Sequence, residues 1–134
     1  MYRVIIAGDR NWGDQELEAK IRGLLLQMPR DEEGKWNVEI VHGACYGVDL
    51  TADRVARELG FNVTAFPADW KKYGRAAGPI RNKQMLNYIC ERTNGIDLRL
   101  SGVYLFHQQI ESSKGTKNMM DQSKAKGVPF LLIN

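Results

Sequence analysis

Short β-type runs alternate with helix-type runs along the chain, and this alternation restricts the fold more than any other feature. The runs that favour strands are residues 2–7, 38–41, 61–66, 103–106 and 128–133. Apolar residues at helical spacing follow the first two runs, at Leu17, Ile21, Leu24, Leu25 and Met28 and at Val48, Ala52, Val55, Ala56 and Leu59. Such alternation predicts parallel strands joined by helical crossovers. We therefore expect a single α/β domain over residues 1–134, with a doubly wound sheet of about five mainly parallel strands in the order 3-2-1-4-5 and helices on both faces.

The connection after the third strand is the least regular part of the pattern. Residues 68–78 are predicted to form an irregular loop of about eleven residues, and Pro79 suits the first turn of the helix that follows. Residues 91–102 are predicted to be a further connection. A last helix is expected from about Thr116 to Lys126, where Gly127 ends it.

Composition excludes several classes of protein. No window approaches 18 uninterrupted apolar residues, so no membrane span or membrane partner is expected, and the N-terminal apolar run is too short for a signal peptide. Two cysteines, Cys45 and Cys90, and two histidines, His42 and His107, are too few for a disulfide scaffold or a four-ligand zinc site. We expect a cytoplasmic protein with reduced thiols, no metal and no cofactor.

The positive charge is concentrated in one stretch. The chain has a formal net charge of +3. Between Asp69 and Lys83 there are five basic residues, Lys71, Lys72, Arg75, Arg81 and Lys83, against the single carboxylate of Asp69. A local basic patch of this kind favours a small anionic ligand over a nucleic-acid track, which needs a broader basic face. Nucleic acid is therefore not an expected partner.

Glycines and polar residues follow the predicted strands at their carboxyl ends, where doubly wound sheets bind ligands. Candidate ligand-binding residues follow strand 1 (Gly8 and Arg10), strand 2 (Gly43, Ala44, Gly47 and Asp49) and strand 4 (Ser113, Gly115 and Thr116). The two glycine turns can bring backbone N–H groups and a helix start to a phosphate, or they can simply permit tight strand-to-helix turns. Asp49 can complement the helix dipole, bind a ribose hydroxyl or act as a general base.

The basic stretch adds five further candidates: Trp70, Arg75, Gly78, Arg81 and Asn82. Arg81 and Arg75 can hold a phosphate or carboxylate, Trp70 and Tyr73 can stack on a base and Asn82 can hydrogen-bond an amide or base edge. The alternative is a solvated basic loop in which Trp70 only anchors the packing. His42 and His107 are interpreted as structural residues at strand ends, and Cys45 lacks a neighbouring base that would make it a nucleophile.

Taken in chain order, residues 4–10, 42–49, 68–82 and 113–116 resemble the YspA-like (YAcAr) branch of the SLOG superfamily. The Gly-Arg-Ala-Ala-Gly-Pro-Ile-Arg-Asn block at residues 74–82 is the specific part of the match. The superfamily also includes the DprA/Smf DNA-processing proteins and the LOG phosphoribohydrolases. The resemblance implies a Rossmann-like domain that binds nucleotides or nucleotide-derived signals, found in bacteria and their phages. Related domains often pair through helices, which implies a homo-oligomer.

The resemblance also bears on catalysis. LOG enzymes use an arginine and a glutamate to cleave an N-glycosidic bond. Arg81 lies in the segment similar to the arginine motif, and Gly115 and Thr116 match the second motif, but Asn118 stands where the catalytic glutamate would be. A neutral amide cannot replace that carboxylate. We therefore expect a module that binds a nucleotide-derived ligand as a sensor or sequestering protein; the alternative is a nucleotide N-glycosidic hydrolase in which Asp49 supplies the carboxylate.

Overall fold

A computed structural model describes residues 1–91 and 102–134, and its five strands form one parallel sheet. The strands are β1 (Tyr2–Gly8), β2 (Val38–His42), β3 (Asn62–Ala65), β4 (Gly102–Phe106) and β5 (Phe130–Ile133). Their order is β3-β2-β1-β4-β5, which confirms the order expected from the sequence. The connection predicted at residues 91–102 falls on residues 92–101, outside the described residues.

Within residues 1–91 and 102–134, five α-helices and two short 3-10 helices join the strands. They are α1 (Gln15–Leu26), α2 (Val48–Glu58), α3 (Trp70–Tyr73), α4 (Ala77–Glu91) and α5 (Gly115–Lys126), with 3-10 turns at Gly74–Ala76 and Ile110–Ser112. The side chain of Asp14 caps α1 by accepting from the Leu17 amide. Gly127, with φ of +73°, ends α5 in the left-handed conformation that glycine adopts without strain.

The sheet separates two hydrophobic layers, because side chains alternate between its faces along each strand. Val4 and Ile6 of β1 pack with the buried face of α1 and α2. Ile5 and Ala7 of the same strand pack on the other side, with the buried residues of α4 and α5. These contacts confirm the predicted α/β architecture with helices on both faces. None of the described helices combines the length and apolar character that crossing a bilayer requires.

The prediction of an irregular loop over residues 68–78 is wrong. Asp69 caps a short helix, α3, by accepting from the Lys72 amide, and Gly74 then turns the chain with φ of +55°. Helix α4 begins at Ala77, two residues earlier than expected. Glycine and proline are usually helix breakers, but a proline in the first turn costs no hydrogen bond, so Pro79 is compatible with a helix that has already begun.

The fold creates a crevice at the carboxyl edge of the sheet. The chain runs outward from β1 through β2 to β3 at one edge and then returns to β4 on the other side of β1. The connections after β1 and β4 therefore leave the sheet in opposite directions. Ligands bind in the crevice that such a change of direction opens.

Candidate functional site

The crevice is a cavity of about 1160 Å³ that opens beyond the ends of β1 and β4. Most of the ligand-binding residues predicted from the sequence line it, namely Gly8, Arg10, Asp49, Trp70, Arg75, Gly78, Arg81, Asn82, Ser113, Gly115 and Thr116. Gly43, Ala44 and Gly47 do not belong to the lining. The structure therefore brings together the segments that follow β1 and β4 and the start of α4, but not the glycines of the β2–α2 turn.

Gly43 leaves space for an arginine of the protein itself. A methyl group built at Gly43 would overlap the Arg81 guanidinium, and Arg81 Nη1 donates to the Gly43 carbonyl. Arg81 is only 7% exposed, and its Nε donates to Asn82 Oδ1 over 2.9 Å. Its Nη2 has only the Cys45 sulfur at 3.9 Å within the described chain. This terminal nitrogen is the part of Arg81 that remains able to bind a ligand.

Asp49 satisfies the amide groups of the β2–α2 turn. Its Oδ2 accepts from the backbone amides of Gly43 (3.1 Å) and Cys45 (3.2 Å), while the Ala44 amide donates to His42 Nδ1 over 3.0 Å. These N–H groups are therefore not directed at a ligand. Burial raises the pKa of Asp49 from its ordinary 3.8 to about 6, against the opposing effects of the Cys45 amide, His42 and Arg81.

Gly47 supports the loop that carries Arg10. Its φ of +75° favours glycine, and a methyl group there would overlap the backbone of Asp9 and Arg10. The amide of Val48 donates to the Asp9 carbonyl over 3.2 Å. The role of Gly47 is thus close packing between two loops of the protein, one of which lines the cavity.

Two arginines of the lining have no partner among the residues that the structure describes. Arg10 and Arg75 make no hydrogen bond or ion pair with any residue in the ranges 1–91 and 102–134. The other arginines described by the structure all donate to protein oxygens: Arg3, Arg22, Arg30, Arg54, Arg57 and Arg81. Lys114, at the start of α5, lines the cavity and is likewise unpaired with described residues. Both arginines that lack a partner among the described residues therefore belong to the lining of this cavity.

The first turn of α5 forms another part of the cavity lining. Ser113 Oγ accepts from the Thr116 amide over 3.0 Å and caps the helix. Thr116 is 5% exposed, and its hydroxyl has no hydrogen-bond partner among the described residues. A helix start with its positive dipole end and a buried, unpaired hydroxyl can bind an anion.

Trp70 gives the cavity an aromatic edge. The side chain lies on α3, is 52% exposed and contributes to the lining, whereas Tyr73 does not. A half-exposed indole at the edge of a cavity can stack on a planar ligand group. Gly78 lies beside the ring, since a methyl group built there would be 3.6 Å from the indole.

Sequence reasoning did not select several polar side chains of the lining, among them Asp9, Lys114, His107 and Asn118. His107 Nδ1 accepts from the Gln109 amide over 2.9 Å, so its proton is on Nε2, which lies 3.9 Å from Asp9 Oδ2. His107 directly follows β4, and this position at the carboxyl end of a strand could have identified it from the sequence as a lining residue. Asn118 was noted only as the residue that replaces a glutamate. No three His, Cys, Asp or Glu side chains of the described chain are grouped to hold a metal ion.

Comparison with known proteins shows the family of this chain. The model of the YspA, cpYpsA-related SLOG family (YAcAr) matches residues 2–73. The chain belongs to this family. It is also similar to "Gene 61 protein" of Mycobacterium phage D29, with 32% identity over 138 residues that cover 98% of this chain and 95% of that protein. No solved structure matches.

Membership of the SLOG family suggests nucleotide-related binding or processing. The matched region includes β1, the β2–α2 turn and Trp70, but it ends before Arg75 and the start of α4. The similarity to the phage protein extends over nearly the whole chain, including α4 and α5.

Proposed function

We propose that this SLOG-family protein binds a nucleotide or nucleotide-derived, phosphorylated small molecule in the cavity, as a sensor or sequestering protein. One observation carries the proposal: Arg10 and Arg75, the two arginines without a partner in the described chain, both line the same cavity. An arginine fork binds phosphate oxygens in pairs, and neither guanidinium has to give up a partner among the described residues in order to do so.

The charge of the lining supports an anionic ligand. Arg10, Arg75, Arg81 and Lys114 face two carboxylates, Asp9 and Asp49, so the described lining has a net charge of about +2 when both carboxylates are ionised. The cavity volume of about 1160 Å³ accommodates a nucleotide, and Trp70 offers a surface on which a base can stack.

Titration calorimetry tests the proposal with AMP, ADP, ADP-ribose and cyclic nucleotides at fixed salt. We expect binding of at least one of them, and we expect Arg10→Ala and Arg75→Ala each to weaken it about tenfold or more, the value of a charge-assisted hydrogen bond. Arg57→Ala is the matched control, because Arg57 is exposed, pairs with Asp53 and lies outside the lining. Absence of binding across the panel, or equal losses for all three variants, would refute the proposal.

A second candidate function is hydrolysis of the N-glycosidic bond of a nucleotide. The observation that favours it is Asp49, a buried carboxylate in the lining whose pKa of about 6 suits a general acid or base. Incubation with AMP would then release ribose 5-phosphate and adenine, and Asp49→Asn would abolish the release. Recovery of intact AMP from a protein that binds it would exclude this reaction for AMP.

A further inference from the structure

Side-chain amides connect the N-terminal half of α4 to the N-terminal half of α5, and the hydrogen-bonding groups around them determine which way each amide is oriented. Arg81 Nε donates to Asn82 Oδ1 over 2.9 Å. A guanidinium has no acceptor, so the amide oxygen of Asn82 has to face it. Asn82 Nδ2 donates to the Gly115 carbonyl over 3.3 Å, an atom that can only accept. Both ends of the Asn82 amide are therefore assigned by their neighbours.

The orientation of Asn82 in turn determines that of Asn118. Asn82 Nδ2 donates to Asn118 Oδ1 over 3.1 Å, and Gln122 Nε2 donates to the same oxygen over 2.7 Å. Gln122 Nε2 also donates to the Pro79 carbonyl over 3.0 Å, which identifies it as a nitrogen. Because both neighbours are donors, the Asn118 atom between them has to be its oxygen.

The Asn118 nitrogen is consequently left without an acceptor. Nδ2 makes no hydrogen bond with residues 1–91 or 102–134, and Asn118 is part of the cavity lining. The neighbouring Thr116 hydroxyl, which is buried and unpaired in the described structure, belongs to the same lining. The start of α5 thus offers two side-chain groups for hydrogen bonding in addition to its positive dipole end.

We propose that Asn118 is a specificity-determining residue whose Nδ2 donates a hydrogen bond to a phosphate oxygen of the ligand beside the first turn of α5. The inference rests on the proposed function and adds the position of the phosphate. Phosphate binds at α5 and not at the β2–α2 turn, where Asp49 and His42 already accept from the backbone amides. A donor at position 118 selects an unprotonated, anionic oxygen and disfavours a ligand group that itself needs an acceptor.

Two substitutions separate this role from a structural one. Asn118→Asp keeps an oxygen for Asn82 and Gln122 but replaces Nδ2 with a negatively charged oxygen, whereas Asn118→Ala removes both atoms. Titrations with ADP and with inorganic pyrophosphate should show a loss of about tenfold for Asn118→Ala and about a hundredfold for Asn118→Asp, since the aspartate also repels phosphate. A purely structural role of the amide chain predicts the reverse order, because only alanine breaks it.

Asn87→Asp is the matched control, with the same change of charge at an exposed position of α4 outside the cavity, where Asn87 accepts from Lys126. We expect its affinity to stay within about twofold of the wild type. Pyrophosphate should also shift the ¹⁵N–¹H signals of the Asn118 side-chain amide in the wild-type protein, which needs no variant to fold. Unshifted signals during binding, or binding by Asn118→Asp at least as tight as by Asn118→Ala, would overturn the inference and leave the proposed function standing. A wild-type protein that binds neither nucleotides nor pyrophosphate would overturn both.

Discussion

Replacement of Asp49 by asparagine is expected to stabilise the folded protein at neutral pH. The carboxyl group is 4% exposed, and its pKa is raised from 3.8 to about 6, chiefly by burial. Because both turn amides donate to a single oxygen, Oδ2, an asparagine oxygen can accept the same two hydrogen bonds. Asp49→Asn therefore removes the buried charge and keeps the turn.

The magnitude follows from the pKa shift. A raised pKa means that the folded state binds more protons than the unfolded state between pH 3.8 and about 6. The contribution of Asp49 is thus fully favourable below pH 3.8 and is lost as the pH rises through 6. The shift corresponds to roughly 3 kcal/mol of unfolding free energy at pH 7.5, which is the upper limit for the gain in Asp49→Asn.

Urea denaturation of wild type and Asp49→Asn at pH 4.5 and pH 7.5 measures this effect, because contributions of other groups cancel in the difference between the two proteins. The difference should be small at pH 4.5 and largest at pH 7.5. Asp53→Asn, one turn further along α2, is the matched control with the opposite sign. Burial opposes ionisation of Asp53, but the Arg57 and His42 contacts outweigh it and lower its pKa, so this variant should lose stability at pH 7.5. An Asp49→Asn protein that is less stable than wild type at pH 7.5, or a difference independent of pH, would refute the reasoning.

Three further outcomes are expected. Gly43→Ala should lower the free energy of unfolding by about 1–3 kcal/mol, because the added methyl group displaces the Arg81 guanidinium. In the same denaturation assay Gly23→Ala in α1 should be neutral or stabilising, because a methyl group there has no atom within 4 Å. Arg75→Ala should leave the midpoint of thermal unfolding of the free protein unchanged, since its guanidinium has no partner within the described chain, and should reduce the increase that ADP produces in the wild type. An adenine nucleotide should quench tryptophan fluorescence, and Trp70→Phe should remove most of that change.

The sheet was predictable because its determinants are local and general. Strand-forming runs separated by helical apolar spacing leave few topologies once crossovers are right-handed, and the observed order β3-β2-β1-β4-β5 is one of them. The same rule predicted that Arg10, which follows β1, and Thr116, at the start of α5, would meet at one edge. Both residues were predicted to lie there because each follows the carboxyl end of a strand in the sequence.

The parts that were not predictable depend on contacts distant in sequence. The local sequence does not show whether a glycine makes room for a ligand or for another part of the protein. The space at Gly43 is filled by the guanidinium of Arg81, which is 38 residues away in the sequence. The helical turns at residues 70–76 are an exception: the Asp69 cap is a local signal, but Gly74, Gly78 and Pro79 are residue types that usually end helices. The donor role of Asn118 follows from Asn82 and Gln122, one of them on another helix.

The two glycine-containing turns, at residues 43–47 and 113–116, differ in whether their hydrogen-bond donors already have acceptors within the protein. At the β2–α2 turn the fixed anion is Asp49, which accepts from two amides and interacts electrostatically with Arg81. A phosphate placed there would face a buried carboxylate and find its donors occupied. At α5 the Thr116 hydroxyl and Asn118 Nδ2 have no partners in the described structure. The Asp49 carboxylate, which destabilises the folded state at neutral pH, therefore also favours binding of an anionic ligand at the start of α5 over binding at the β2–α2 turn. Gly43 connects Asp49 to Arg81, because its amide donates to Asp49 and its carbonyl accepts from Arg81 Nη1. The groups that can neutralise the ligand's charge are then Arg81 Nη2, Arg10 and Arg75.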